Sequence, residues 1–167
     1  MKALRTLRGP LVGAALVAAL SLSACGTADT AAVVNGEKIS ENEAQIAAQQ
    51  INEAFKPQTP LTTRDAVSSL IAAPAINDVA TRLGKGESDS SARSAIPQIQ
   101  DPSQATLDLV KANFALQKLT DPEKQQVLDE LKKAEVSVNP RYGVYDKNGF
   151  QLEAPQTNWL KAPATQG

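Results

Sequence analysis

The sequence has 167 residues and a nearly balanced charge, with 17 Lys and Arg side chains against 18 Asp and Glu side chains. It contains no histidine, which removes the commonest general base and the commonest metal ligand of proteins. Its single cysteine, Cys25, is too little for a thiolate metal site. The composition therefore excludes histidine-dependent hydrolases and cysteine-rich zinc proteins.

The first 24 residues have the pattern of an export signal. Lys2, Arg5 and Arg8 precede an apolar run over residues 11–22, and this order is typical of a signal peptide. The run is about a dozen residues long, whereas a helix needs about 20 apolar residues to span a bilayer. We therefore expect a cleaved signal rather than a stable membrane span.

The residues that end this signal are Leu22, Ser23, Ala24 and Cys25, and they resemble the bacterial lipobox. The resemblance implies that the Cys25 thiol carries a diacylglyceryl group and becomes the first residue of the mature protein. Two acyl chains anchor a protein durably, whereas a single chain binds reversibly. The alternative is an unmodified Cys25 beside a conventionally cleaved signal, but an exported thiol without a disulfide partner calls for an explanation.

These features divide the chain into a lipoprotein signal peptide (1–24), a lipidated tether (25–31), one domain (32–152) and a flexible tail (153–167). Removing the signal leaves 143 residues, a common size for one domain. It also removes three basic side chains, so the formal net charge changes from −1 to −4. This acidic balance argues against nucleic acid as a partner, since phosphate binding needs clustered basic side chains.

The domain opens with a short strand and an amphipathic helix. Residues 32–34 are β-prone, and Asn35-Gly36 behind them suits a tight turn. Ser40 and Glu43 form a capping box, which predicts that a helix begins here and continues until Pro57. The apolar side chains at helical spacing are Ala44, Ala47, Ala48, Ile51 and Phe55.

A second helix is predicted to begin at Thr62 or Thr63 and to stop at Gly84. Pro74 lies inside this segment and cannot donate a backbone hydrogen bond. We therefore expect a kink near residues 72–73 or a division into two shorter helices. The apolar face carries Val67, Leu70, Ile71, Ala75, Val79 and Leu83.

A polar connection leads from the second helix to the next one. Residues 85–100 are rich in Ser, Gly and charge, which predicts a flexible connection with at most a short helix over residues 91–99. Asp101 as N-cap and Pro102 at the first helical position predict the helix that follows. Its broad apolar face carries Leu107, Val110, Phe114 and Leu116.

Another helix and a strand are predicted in the next segment. Thr120 and Glu123 form a second capping box, which opens the helix. Residues 135–139 then alternate between polar and apolar, as a half-buried strand does, and Pro140 ends the alternation. We expect this strand to share a sheet with residues 32–34, because neither strand is stable alone. The helix carries Val127, Leu128, Leu131 and Ala134 on its apolar face.

The last predicted unit is a β-hairpin over residues 142–152. Residues 144–146 and 150–152 flank Asn148-Gly149, the pair that a type I′ turn prefers. Two strands alone are marginal in water. The hairpin is therefore expected to lean on the other two predicted strands.

Residues 32–43 resemble the opening of the SurA-type N-terminal chaperone domain, which begins with a Val-rich strand, Asn-Gly and a capped helix. Residues 84–89 and 136–143 are similar to later parts of that domain, so the resemblance spans residues 32–146. It implies a mainly α domain of four to five helices, clasped by a small antiparallel sheet made from the N- and C-terminal strands. It also implies a groove that holds extended, apolar segments of unfolded proteins.

The chain departs from SurA and PrsA in one respect. Those proteins also carry parvulin-type prolyl isomerase domains with histidines in the active site, whereas this sequence has no histidine. Residues 85–101 are also too few to hold such a domain. We therefore expect no enzymatic activity, and the sequence predicts no catalytic residue, no cofactor and no metal site.

Few side chains are candidates for recognising a partner. Ile46 and Ile76 lie at the edges of their apolar stripes and are candidates for lining a groove, whereas the stripes themselves are expected in the core. Arg141 and Tyr142 suit partner recognition, although the preferred interpretation is an ion pair and sheet packing. The charged residues expected to be solvated helix surface are Asp129, Glu130, Lys132, Lys133 and Glu135.

Two functions are compatible with these patterns. The first is a chaperone-like lipoprotein, anchored through Cys25 to the extracytoplasmic side of the cell membrane, that binds unfolded or newly exported polypeptides. The second is a non-catalytic accessory lipoprotein that docks one specific envelope protein. No small-molecule substrate is evident from the sequence. Binding of many unfolded peptides distinguishes the first function from the second.

Overall fold

Five α-helices and five short strands make up residues 29–153, the part of the chain that the computed structural model describes. The expectation of a mainly helical domain with small antiparallel sheets is confirmed. The expected signal peptide, the lipobox-like residues with Cys25, and residues 154–167 of the expected tail lie outside the described residues. The helices are α1 (Glu41–Phe55), α2 (Thr63–Arg82), α3 (Asp89–Ala95), α4 (Gln104–Lys118) and α5 (Asp121–Lys133). The strands are β1 (Thr30–Val34), β2 (Glu37–Ser40), β3 (Val136–Val138), β4 (Val144–Asp146) and β5 (Gln151–Glu153).

A three-stranded sheet joins the two ends of the domain. β1 is its central strand and pairs antiparallel with β2 and with β3, where Val33 lies opposite Ser137. The expected sharing of a sheet between the N- and C-terminal strands is therefore confirmed. β1 begins at Thr30, inside the segment expected to be the tether, and Ala31 is fully buried.

The strand β2 is an element that the sequence analysis did not predict. Asn35 and Gly36 adopt φ values of 50° and 87°, and these positive values suit a two-residue hairpin turn. The chain therefore reverses at once and pairs residues 37–40 with β1 before α1 begins. The predicted turn is confirmed, and its consequence is a hairpin rather than a direct entry into the helix.

α1 begins at the predicted capping box. The Ser40 hydroxyl accepts a hydrogen bond from the backbone N–H of Glu43, and the Glu43 carboxylate accepts one from the backbone N–H of Ser40. Three alanines of the predicted stripe are buried, namely Ala44, Ala47 and Ala48. Phe55 was expected on this buried stripe, but 49% of its surface is exposed because it lies in the last turn, where α1 ends.

α2 runs without interruption through Pro74, so the predicted division into two helices is wrong. Pro74 itself is exposed, while Ile71 and Ala73 beside it are buried. This packing stabilises a continuous helix in spite of the missing hydrogen bond. The predicted start at Thr62 or Thr63 is confirmed, because Thr62 caps the helix through a capping box with Asp65 and Thr63 is its first residue. Gly84 follows the helix with a φ of 70°.

Residues 85–100 contain the predicted short helix, but they pack against α4 instead of forming the expected flexible connection. α3 begins two residues before the predicted helix and ends four residues before its predicted end. Its Ala92 and the following Ile96 are fully buried against Leu107 and Val110 of α4. Ion pairs of Glu87 with Lys118 and of Asp89 with Lys111 also hold this unit on α4. Although this segment is polar in composition, it contributes to a small second core of five buried apolar side chains.

α4 begins at Gln104 with Ser103 as its N-cap, so the predicted cap at Asp101 is wrong. Gln50 of α1 explains the difference. Its amide nitrogen donates to the carbonyl oxygen of Asp101 at 3.0 Å, and its amide oxygen accepts from the backbone N–H of Ser103 at 3.0 Å. This long-range clamp holds the segment in an extended form until Ser103 caps the helix.

α5 begins at the predicted capping box of Thr120 and Glu123, and it packs against α2. The Glu123 carboxylate accepts from the backbone N–H of Thr120 at 2.7 Å and also pairs with Lys85. These contacts, with the Lys85 ammonium first among them, lower the pKa of Glu123 to about 2. Glu123 thus connects the start of α5 to the segment that follows α2.

The hairpin of β4 and β5 is confirmed, but its predicted type I′ turn is wrong. Asp146 pairs with Gln151, so four residues rather than two connect the strands. The Asp146 carboxylate accepts hydrogen bonds from the backbone N–H groups of Asn148 and Gly149 at 2.8 and 2.7 Å. This side-chain cap shapes a longer loop that ends with Phe150 at a φ of 53°.

The lowered pKa of Glu123 predicts an acid-dependent loss of stability. A carboxyl group with a pKa of about 2 in the folded protein and an ordinary value of 4.5 stabilises the fold above pH 4.5. This stabilisation is lost as the pH falls from 4.5 to 2. The variant Glu123→Gln should therefore be less stable than the wild type at pH 6, and the difference should shrink by pH 2.5. Urea unfolding at both pH values measures it.

The matched control for this experiment is Glu53→Gln on the exposed face of α1. This substitution should leave the urea midpoint close to that of the wild type at both pH values. A difference between wild type and Glu123→Gln that stays constant from pH 6 to pH 2.5 would contradict the assignment.

Candidate binding groove

An open apolar groove lies between α1, α2 and α4 and is bordered by the loop of the β4–β5 hairpin. Its volume is about 560 Å³, which is within the range of sites that hold ligands of moderate size. The first helix and the loop after it contribute Ile51, Phe55, Pro57, Thr59 and Leu61. The other lining residues are Ser68, Ser69, Ala72 and Ile76 of α2, Leu109, Val110, Ala112, Asn113 and Leu116 of α4, and Phe150.

None of the residues that line the groove is charged, and most are apolar. Phe55 and Leu116 are 49% and 36% exposed, and both line the same groove, so their apolar surfaces lie close together rather than scattered. Together they place exposed apolar surface on two different helices of one groove. The groove therefore suits an apolar occupant and offers little for recognising a charged one.

The connection between α1 and α2 forms one rim of the groove. Asn52 shapes this connection because its side-chain amide bonds both backbone groups of Leu61, with distances of 2.9 Å to the carbonyl oxygen and 2.7 Å from the N–H. Pro57 and Pro60 prevent the segment between from continuing the helix. The hydrogen bonds of the Asn52 side chain thus hold Leu61 in place at the rim of the groove.

The β4–β5 hairpin forms another border of the groove and is bonded to α2. The Arg64 guanidinium donates to the carbonyl oxygen of Leu152 at 2.6 Å. Gly143, with a φ of 109°, allows β4 to start directly against β5, because an added Cβ would lie 1.8 Å from the carbonyl oxygen of Glu153. These two contacts hold the hairpin where Phe150 reaches the groove.

A second depression, of about 370 Å³, lies between the β1–β2 hairpin, α2 and α4, and it is lined by charged groups. Lys111 lies 2.7 Å from both Asp89 and Asp108. Burial opposes its charge, but the bonds to these two carboxylates outweigh burial and raise the pKa of Lys111. The hydrogen bond from Lys111 in turn lowers the pKa of Asp89. Since these charges are matched within the fold, we interpret the site as structural.

The structure places the two sequence-predicted groove candidates differently. Ile76 lines the groove at 7% exposure, whereas Ile46 is half-buried on α1 and is not among the lining residues. Sequence analysis placed Phe55 and Leu116 in buried stripes and therefore missed their part in the groove. Both lie in the last turn of their helices, and this position is the sequence signal that would have indicated incomplete burial.

The preferred interpretation of Arg141 and Tyr142 is confirmed. Arg141 forms an ion pair with Glu41 of α1. Tyr142 is buried, and this burial, followed by the nearby Glu41, raises the pKa of its hydroxyl. The two residues therefore fasten the end of the sheet to α1.

The charged cluster around α5 also has the expected character. Its members form ion pairs at the surface, with distances of 3.7 Å between Lys132 and Asp129 and 3.8 Å between Lys133 and Glu130. Within residues 29–153, no group of three or more acidic, histidine or cysteine side chains is arranged to hold a metal ion. The surface ion pairs of Lys132 with Asp129 and of Lys133 with Glu130 contribute little to stability, because solvent screens exposed charges.

Comparison with protein-family models, with curated proteins and with solved structures found no match to this chain. Among the helices of residues 29–153, none has the length and apolar character needed to cross a membrane.

The hairpin contacts lead to a prediction about Gly143. The variant Gly143→Ala should detach β4 from β5, because the new methyl group would overlap the backbone of Glu153. We expect a lower urea midpoint and faster proteolysis within residues 140–153. The control is Gly84→Ala, which has a φ of 70° but open space around the added Cβ. It should cost only about 1–2 kcal/mol of backbone strain, and equal effects of the two variants would contradict the proposed contact.

Proposed function

We propose that this protein is a lipid-anchored, extracytoplasmic lipoprotein whose domain binds apolar segments of unfolded or newly exported polypeptides. The observation that carries the proposal is the uncharged, open groove with exposed Phe55 and Leu116 at its lining. An open groove without charged or convergent polar groups discriminates poorly between apolar sequences. Such low selectivity is what a chaperone-like module requires.

The size of the groove supports binding of moderate strength. Burying one Leu, Phe or Val side chain contributes about 1.5–3 kcal/mol. A segment that inserts about four such side chains gains roughly 6–12 kcal/mol, and the cost of association and ordering, at least about 4 kcal/mol, limits the affinity to about the micromolar range, near −8 kcal/mol, or weaker. Binding of this strength is reversible, which allows a client to be released for folding.

The proposed relationship to SurA-type chaperone domains is supported by the coarse architecture. Both have a helical domain whose N- and C-terminal strands share a small sheet, here β1 and β3. The proposal includes no prolyl isomerase activity. Residues 85–101 are too few to form a parvulin domain, and the sequence has no histidine for its active site. The proposed function is therefore holding of clients without isomerase catalysis.

The membrane anchor is the second part of the proposal and rests on the lipobox-like residues that end with Cys25. β1 begins at Thr30, five residues after Cys25. A fully extended chain spans at most about 3.6 Å per residue, so these residues reach no farther than about 18 Å. A lipidated Cys25 would keep the groove close to the membrane surface, where exported chains emerge.

Lipidation predicts the behaviour of the variant Cys25→Ser. Without the thiol, no diacylglyceryl group is attached, so the variant should accumulate as an unprocessed precursor or be released from membranes. Fractionation and mass spectrometry of the N-terminal peptide measure both effects. A variant that is processed and membrane-bound to the same extent as the wild type would contradict lipidation at Cys25.

The client-binding proposal predicts that residues 26–167, which include every described element, suppress aggregation of a refolding protein. The variant Leu116→Lys should weaken this effect about tenfold or more, since it removes one apolar contact from the groove. The matched control is Gln126→Lys, which adds the same charge to an exposed face of α5 outside the groove. Light scattering during refolding measures all three proteins.

A second assay tests the absence of catalysis. Residues 26–167 should leave unchanged the refolding rate of a protein limited by a prolyl bond, and acceleration would contradict the non-enzymatic proposal. If aggregation is not suppressed and affinity capture from solubilised membranes yields one tight partner, the chaperone proposal is wrong and the accessory docking function is supported instead.

A further inference from the structure

The β4–β5 hairpin leads the chain directly past the groove. Phe150 lines the groove, and Gln151 and Leu152 border an adjoining depression that shares Ser68 and Ser69 with it. The described residues end one position later, at Glu153. Whatever follows Glu153 therefore starts beside the groove.

The sequence directly after Glu153 lacks charged side chains, as does the lining of the groove. Residues 154–160 read Ala-Pro-Gln-Thr-Asn-Trp-Leu and contain no charged side chain. The charge resumes only at Lys161. Trp159, the single tryptophan of the protein, and Leu160 end this uncharged stretch. A neutral segment with two large apolar side chains matches a groove that no charged residue lines.

The segment between Glu153 and Trp159 is also short. Trp159 lies six positions after Glu153, so it is at most about 20 Å from it when the chain is fully extended. A groove of about 560 Å³ has room for the side chains of Trp159 and Leu160. A tryptophan buries about 150–250 Å² of surface, so it would gain more from this site than any other residue of the segment.

We propose that residues 154–160 of the same chain bind in the groove, with Trp159 as the apolar anchor beside Leu116 and Ile76. The segment is tethered next to its site, so its effective concentration is in the millimolar range. An external client must displace it, which sets a threshold for binding. This last consequence rests on the proposed function, whereas the occupancy itself does not.

The fluorescence of Trp159, the single tryptophan, measures whether this side chain is buried. In residues 26–167, its fluorescence should be blue-shifted and severalfold less quenched by acrylamide than in the urea-unfolded protein. Leu116→Lys should restore the quenching, and the control Gln126→Lys should not. Trp159 quenched as strongly in the folded protein as in urea would overturn the proposal. So would protection that disappears on dilution, since this indicates a second copy as the occupant.

A cross-link keeps the test decisive if Leu116→Lys disturbs folding. Residues 26–167 contain no cysteine, so the pair Leu116→Cys and Asn158→Cys is the only source of thiols. Under oxidation at low protein concentration, this pair should form an intramolecular disulfide, whereas Gln126→Cys with Asn158→Cys should not. Equal cross-linking of the two pairs would overturn the proposal.

Truncation after Glu153 separates this proposal from the chaperone function. If the segment occupies the groove, the truncated protein should suppress aggregation at severalfold lower concentration than residues 26–167. Protected Trp159 together with no aggregation effect in either protein contradicts the chaperone function but supports the occupancy. Exposed Trp159 together with full aggregation suppression contradicts only the occupancy.

Discussion

The pairing of β1 with β3 is the constraint on which the rest of the domain depends. It brings Val34 and Val136, about a hundred residues apart in the sequence, into one sheet. Two further bonds reinforce this closure, because Asn139 donates through its backbone N–H to Ala31 and through its side chain to Thr30. Closing so long a loop costs entropy that the short strands alone do not offset. The helices between must therefore pack on one another for the sheet to form.

The sequence predicts the parts of this fold that local chemistry determines. The capping boxes at Ser40, Thr62 and Thr120 need only residues three positions apart, so the starts of α1, α2 and α5 are predictable. Local reasoning fails where a distant group intervenes. Gln50 of α1 holds residues 101–103 extended and moves the start of α4, and the carboxylate of Asp146 replaces the expected two-residue turn.

The groove was less predictable than the core for a related reason. Helical periodicity indicates that Phe55 and Leu116 share a face with buried residues, but it does not indicate where a neighbouring helix stops covering that face. Phe150 reaches the groove only because Arg64 and Gly143 position its hairpin, which are contacts between distant residues. Periodicity identified Ile76 as a marginal member of its stripe, and it does line the groove.

The two sheets also differ in how they would bear mechanical load. β1 is antiparallel to a neighbour on each side, so a pull on Thr30 along the strand loads the bonds of both ladders at the same time, in shear. β5 has one described partner, β4, and Glu153 lies opposite Val144 at the open end of their hairpin. A pull on Glu153 separates these bonds one after another, as a zipper opens. Force applied through residues before Thr30 would thus leave the domain folded at loads that detach β5.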